Sequence, residues 1–91
     1  MITVYKFSAE WCKNCNVYDS IFDEVSKKFD KPDIEFKKID VEERTDLTDK
    51  YSIKFVPMTL IDVDGEVKFK RTGVLSEVDL INEIKLAYNS K

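Results

Sequence analysis

The chain has 91 residues, 43% of them hydrophobic and 36% charged, which sets the scale of one small domain with a modest core and leaves no room for a second. Fifteen Lys and Arg against 18 Asp and Glu give a net charge of -3, the wrong sign for a surface that grips nucleic acid phosphates, and no apolar run approaches the roughly 18 residues of a membrane span. The absence of histidine removes Ser-His and Cys-His nucleophile pairs, imidazole acid-base chemistry and nearly all zinc-enzyme ligand sets.

Residues 2–8, β-branched and aromatic with near-alternation, predict a strand in which Ile2, Val4 and Lys6 share a face. The same stretch lacks the charged start and long apolar run of a signal peptide, so a cytoplasmic protein is expected. From 14 to 29, Val17, Tyr18, Ile21, Phe22, Val25 and Phe29 recur at spacings of three and four and predict an amphipathic helix. A polar break with Pro32 follows, then a strand over 34–41 and a shorter helix over 42–51, with Thr45 or Asp46 as candidate caps. Residues 56–63 read as a third strand, although Pro57 would forfeit a ladder hydrogen bond. Asp64-Gly65 is a two-residue hairpin signal leading to a fourth, antiparallel strand over 67–71. Ser76 caps a last helix with Leu80, Ile81, Ile84 and Tyr88 as its buried stripe, and Leu75 with Leu80 as a hydrophobic staple. The order β-α-β-α-β-β-α predicts an α/β fold: a mixed four-stranded sheet flanked by helices.

Cys12 and Cys15 are the only cysteines, too close in sequence for a bond between them to close a stabilising loop. Their value is chemical, metal-binding or nil. At the first turn of a helix a cysteine meets unpaired N–H groups and the positive end of the dipole, which can lower a thiol pKa from about 8.5 to about 7 or below. Cys12 is therefore the expected nucleophile. Cys15, one turn further, is spaced to attack a mixed disulfide on Cys12 and release the reduced substrate.

The run Phe7-Ser8-Ala9-Glu10-Trp11-Cys12-Lys13-Asn14-Cys15 resembles the active-site strand, turn and helix of the thioredoxin family. Ile39-Asp40-Val41, Tyr51-Ser52-Ile53, Val56-Pro57-Met58, Asp64-Gly65-Glu66-Val67 and Gly73-Val74-Leu75-Ser76 are similar to thioredoxins in order and spacing, so the resemblance covers nearly the whole chain. It implies a minimal thioredoxin fold, without the family's extra N-terminal strand and helix. It also implies a thiol-disulfide oxidoreductase with no bound cofactor and no metal, acting on protein disulfides as a monomer. An external dithiol donor such as a flavoprotein reductase would recharge it. A cis bond between Val56 and Pro57 is implied as well. Trp11, Val56, Pro57, Gly73 and Val74 would then form an apolar docking groove in which an extended substrate pairs with the Val56 backbone. Residue by residue, blander readings exist: Trp11 as a packing aromatic, Pro57 as a trans edge-strand proline, Gly73 as a turn glycine, Lys6 as a lysine snorkelling to solvent.

The departures from the family bear on redox behaviour. Lys6 stands where the family usually has a buried aspartate, Ser8 where it often has a tryptophan, and Lys13 and Asn14 where it has glycine and proline. Lys38 resembles a lysine that some thioredoxins place near that carboxylate. Positive charge from Lys6 and Lys13 near the thiolate favours the reduced form, which predicts a potential between about -270 mV and about -180 mV. Two readings compete with this one: a glutaredoxin-like, glutathione-dependent enzyme, against which the tail after Gly73 speaks, and a thioredoxin-fold binding module. A zinc- or iron-sulfur-bridged dimer would need ligands from a second chain, because Cys12 and Cys15 supply only two.

Overall fold

The chain alternates strand and helix as its residue pattern dictates, and a computed structural model describes residues 1–89. In order these form β1 (Ile2–Ser8), α1 (Lys13–Lys28), β2 (Ile34–Asp40), α2 (Thr45–Lys50), β3 (Met58–Val63), β4 (Glu66–Thr72) and α3 (Glu77–Asn89). The strands lie in the order β2-β1-β3-β4. β1 pairs parallel with β2 and antiparallel with β3, and β3 pairs antiparallel with β4. The expected mixed sheet is thus formed, with β1 and β3 inside it.

The two sheet faces carry separate cores, as the period of two requires. Ile2 and Val4 of β1 with Ile61 and Val63 of β3 meet Tyr18, Phe22 and Val25 of α1 and Leu80, Ile84 and Ala87 of α3. Phe7, Met58 and Leu60, turned the other way, form a smaller cluster with Ile39 and Ile53, against which Leu47 and Tyr51 pack. Every residue of β3 is buried, whereas β4 is almost wholly exposed and forms one edge.

Several boundaries differ from the sequence expectation for identifiable reasons. α2 begins at Thr45 rather than 42, because Asp40 holds residues 42–44 in a turn. Its carboxylate accepts the Glu42 N–H at 2.8 Å, and its carbonyl accepts from Glu43 and Arg44. Neither Thr45 nor Asp46 is the cap; Arg44 occupies that position without a side-chain hydrogen bond. β3 starts at Met58, after the proline that has no N–H to give a ladder. Val17 was expected on the buried stripe of α1 but is 59% exposed, since at 100° per residue it falls well away from the line through Cys15, Tyr18, Phe22 and Val25. The hairpin follows its sequence signal, with φ of 53° at Asp64 and 90° at Gly65. Ser76 caps α3 through its Oγ, which accepts the Asp79 N–H at 3.1 Å.

Candidate active site at the start of the first helix

β1 runs from the core straight to the cysteines, and a short turn, in which the Cys12 N–H donates to the Ala9 carbonyl at 3.1 Å, ends it. Cys12 is the N-cap of α1, in extended conformation, and its Sγ accepts the Cys15 N–H at 3.2 Å. The sulfur therefore occupies the place that a serine or aspartate oxygen takes at most helix starts. Cys12 and Cys15 form a disulfide with Cα atoms 5.3 Å apart. Cys12 is 8% exposed and Cys15 2%, so Cys12 is the member of the pair nearer to solvent. Ala9 completes this small cluster, and Val41 and Val56 pack against it.

The Val56-Pro57 peptide bond is cis. Pro57 is buried, and its carbonyl accepts the Gly73 N–H at 2.8 Å, which ties the loop before β3 to the loop after β4. Gly73 has φ of 102°, and a Cβ built on it meets nothing within 4 Å. The fold therefore needs glycine there for its backbone conformation, not for space against neighbouring protein atoms. Trp11 is 70% exposed, Phe55 67% and Val74 41%. The Trp11 ring is fixed by its Nε1–H, which donates to Glu42 Oε1 at 2.8 Å. Trp11, Val41, Ile53, Phe55 and Val56, with Thr48 and Lys54, line a cavity of about 330 Å³ beside the cysteines.

Beneath α1 the sheet carries an unexpected polar layer. Lys6 does share a face with Ile2 and Val4, but it does not snorkel outward: it is 3% exposed, and its ammonium is hydrogen-bonded to the Asp19 carboxylate. Lys38, cross-strand from Lys6, reaches Asp19 at 3.1 Å and Asp23 at 2.6 Å. The hydrogen bond from Lys6, reinforced by Lys38, holds the Asp19 carboxyl below the usual carboxylate range. Partial burial works against the Lys38 charge, yet the bonds to Asp23 and Asp19 outweigh it and raise its pKa. Thr59, the other cross-strand neighbour of Lys6, shares a 2.6 Å hydrogen bond with Tyr18, whose burial pushes its phenol up to about 12. Lys13 and Asn14 stand exposed between the cysteines.

Eight of the sequence-predicted residues thus gather in two places, while Lys13, Asn14 and Val74 stand exposed outside both groups. Cys12, Cys15 and Val56 adjoin one another, with Trp11 and Val56 lining the same cavity, Pro57 next in chain and Gly73 bonded to it. Lys6 and Lys38 meet on Asp19. Sequence reasoning missed Asp19, whose signal was its position four residues after Cys15 on the same helix face. It also missed Val41, Ile53 and Phe55. An apolar residue immediately before Val56-Pro57 was the available hint for the last of these.

Residues 1–86 match the family described as Thioredoxin. A thioredoxin of Mycoplasmoides gallisepticum is 33% identical over 82 residues, which span 90% of this chain and 80% of its own length. An H-type thioredoxin of Oryza sativa subsp. indica is 34% identical over 83 residues, 91% of this chain and 66% of its own length. Among solved structures, a thioredoxin-2 described as a component of malaria parasite protein secretion machinery has a TM-score of 0.87 at 27% identity, covering 94% of this chain and 82% of that one. A mutant thioredoxin from Halobacterium salinarum NRC-1 has a TM-score of 0.85 at 26% identity, covering 94% and 74%. The matched stretch takes in every strand of the sheet, and within it this chain holds the Cys12–Cys15 disulfide, so the chain belongs to the thioredoxin family and is a thioredoxin-like disulfide oxidoreductase.

Proposed function

We propose that this protein reduces protein disulfides with Cys12 as nucleophile and Cys15 as resolving residue. The Cys12 thiolate attacks one sulfur of the substrate disulfide; a mixed disulfide forms, and the other substrate sulfur leaves as a thiolate that takes a proton from solvent. Cys15, deprotonated, then attacks the Cys12 sulfur, closes the Cys12–Cys15 bond and expels the second substrate thiol. Two electrons have passed to the substrate, with one proton from solvent and one released by Cys15, and an external dithiol, held by a flavoprotein reductase, returns the electrons. The single observation that supports these roles is the cap: the sulfur of Cys12 sits at the start of α1 and accepts the Cys15 N–H at 3.2 Å, a setting that favours thiolate there.

The apolar cavity supports a polypeptide as the substrate. Trp11, Val56, Pro57, Gly73 and Val74, joined by Phe55, offer apolar contact to residues flanking a substrate cysteine. The backbone of Val56 offers strand-like pairing. This favours protein disulfides over glutathione as the working partner, with no bound cofactor required. We place the potential between about -270 mV and about -180 mV, with Lys6, Lys13, Asn14 and Lys38 as the residues that tune it. We take the protein to work as a monomer in the reducing cytoplasm, where a dithiol can be recharged.

Reduction of insulin by wild type, Cys12→Ser and Cys15→Ser tests the assignment. Activity is lost in both variants, and a covalent adduct with substrate accumulates only in Cys15→Ser. An adduct accumulating in Cys12→Ser instead reverses the roles. Faster turnover of glutathione mixed disulfides than of insulin replaces this reading with the glutaredoxin-like one.

A further inference from the structure

Lys6 lies on β1 between its cross-strand neighbours Lys38 and Thr59 and is 3% exposed. Burying an ammonium at such a depth is costly without a counter-charge, and Asp19 of α1 bonds it directly. Asp19 follows Cys15 by four residues, so its carboxylate and the Cys15 sulfur project from the same face of the helix, one turn apart. Two cations and two anions make up the cluster: Lys6 from β1, Lys38 from β2, Asp19 and Asp23 from α1. Its outer half is screened, since the Lys38, Asp19 and Asp23 side chains are 42%, 42% and 47% exposed, while the Lys6 side chain is 4% exposed. The charge that water cannot damp is therefore the one nearest the sheet, and Asp19 is what cancels it.

We infer that Asp19 is a positioning residue for the redox reaction: by neutralising the buried Lys6 ammonium one helical turn from Cys15, it limits how far that charge favours the reduced, thiolate-bearing form of the pair. The inference rests on the reading of Cys12 and Cys15 as the redox centre and adds to it a residue that touches neither sulfur. The charge balance sets its sign. Reduction of the disulfide takes up two electrons and two protons, and ionisation of one thiol then leaves a negative charge that the oxidised form lacks. A net positive charge nearby favours that form; a net negative charge opposes it.

The test equilibrates the whole chain with mixtures of reduced and oxidised glutathione at pH 7 and counts thiols by alkylation and mass. In Asp19→Asn, which keeps an oxygen toward Lys6 but not its charge, the ratio of reduced to oxidised protein rises about threefold to tenfold at a given glutathione ratio, tenfold being about 30 mV. In Lys6→Met it falls by a similar factor. The double substitution Lys6→Met with Asp19→Asn returns to within about twofold of wild type. The Asp19→Asn shift persists in 0.5 M salt, because Lys6 is shielded from ions. Shifts in the same direction for the two single variants, or none in either, overturn the inference. Should Asp19→Asn not fold, Lys6→Met decides alone: a lower reduced fraction supports the inference, and an unchanged or higher one overturns it. Failure of wild type to exchange with glutathione at all overturns the redox reading itself, a separate result.

Discussion

At the scale of single residues the polar layer beneath α1 governs how stability responds to pH. Tyr18 is fully buried with its hydroxyl on Thr59, and burial raises its phenol from 10.0 to about 12. The folded state thus holds this proton more tightly than the unfolded chain does. Its contribution is complete below pH 10 and lost as pH climbs through 12, a difference of about 3 kcal/mol. Urea unfolding at pH 8 and pH 11.5 should show about 2 kcal/mol of that loss in wild type, and Tyr18→Phe should show much less of it. Asp19 titrates at the other extreme. Its carboxyl is held low by Lys6 and Lys38, so its share of stability is present above the usual carboxylate pKa and disappears as pH falls through the depressed one. At pH 7, Asp19→Asn leaves Lys6 buried without a counter-charge and should cost about 1–3 kcal/mol in denaturant unfolding, discounted for the partial exposure of Asp19. The strand pattern put Lys6 on the correct face but could not supply its partner, because an ion pair between β1 and α1 is a product of tertiary packing. Lys38 looked unpartnered in sequence for the same reason.

At the scale of elements, the well-foreseen features are those with local causes. The Asp64-Gly65 turn, the Ser76 cap and the tyrosine-phenylalanine-valine stripe of α1 follow from backbone preference and periodicity over a few residues. Ser76→Ala should therefore cost about 1 kcal/mol and lower the melting temperature by about 4–8 °C in calorimetry. The errors arose where a distant or side-chain contact set the boundary, as when the Asp40 carboxylate delayed α2 by three residues. Gly73 combines both kinds of cause. Its positive φ with open space around it means that Gly73→Ala is penalised by backbone conformation alone, about 1 kcal/mol in chemical denaturation. If the groove also passes over this position, KM for a protein disulfide rises in the same variant while thiol reactivity toward a small disulfide stays unchanged.

For the whole molecule, the sheet separates two tasks. The α1 and α3 face holds the larger core, and the ends of β1 and β3 present the cysteines and the apolar cavity together. Phe55 belongs to that display and supports nothing beneath it, being 67% exposed. Phe55→Ser should alter unfolding free energy by less than about 0.5 kcal/mol, yet raise KM for a protein substrate severalfold in steady-state assays. The family resemblance made the fold and the cysteine pair legible from sequence. Of the cavity, the resemblance supplied Trp11 and Val56 but not Val41, Ile53 and Phe55, which join them only after the loops before α1, α2 and β3 have closed on one another.

The bond from the Gly73 amide to the Pro57 carbonyl couples the loop before β3 to the loop after β4. A substrate strand that pairs with Val56, as proposed above, should therefore disturb Gly73 as well, and a change on one side of the site should be felt on the other. In nuclear magnetic resonance spectra, the Gly73 amide proton should then act as a gauge of occupancy, shifting as a peptide disulfide is titrated in.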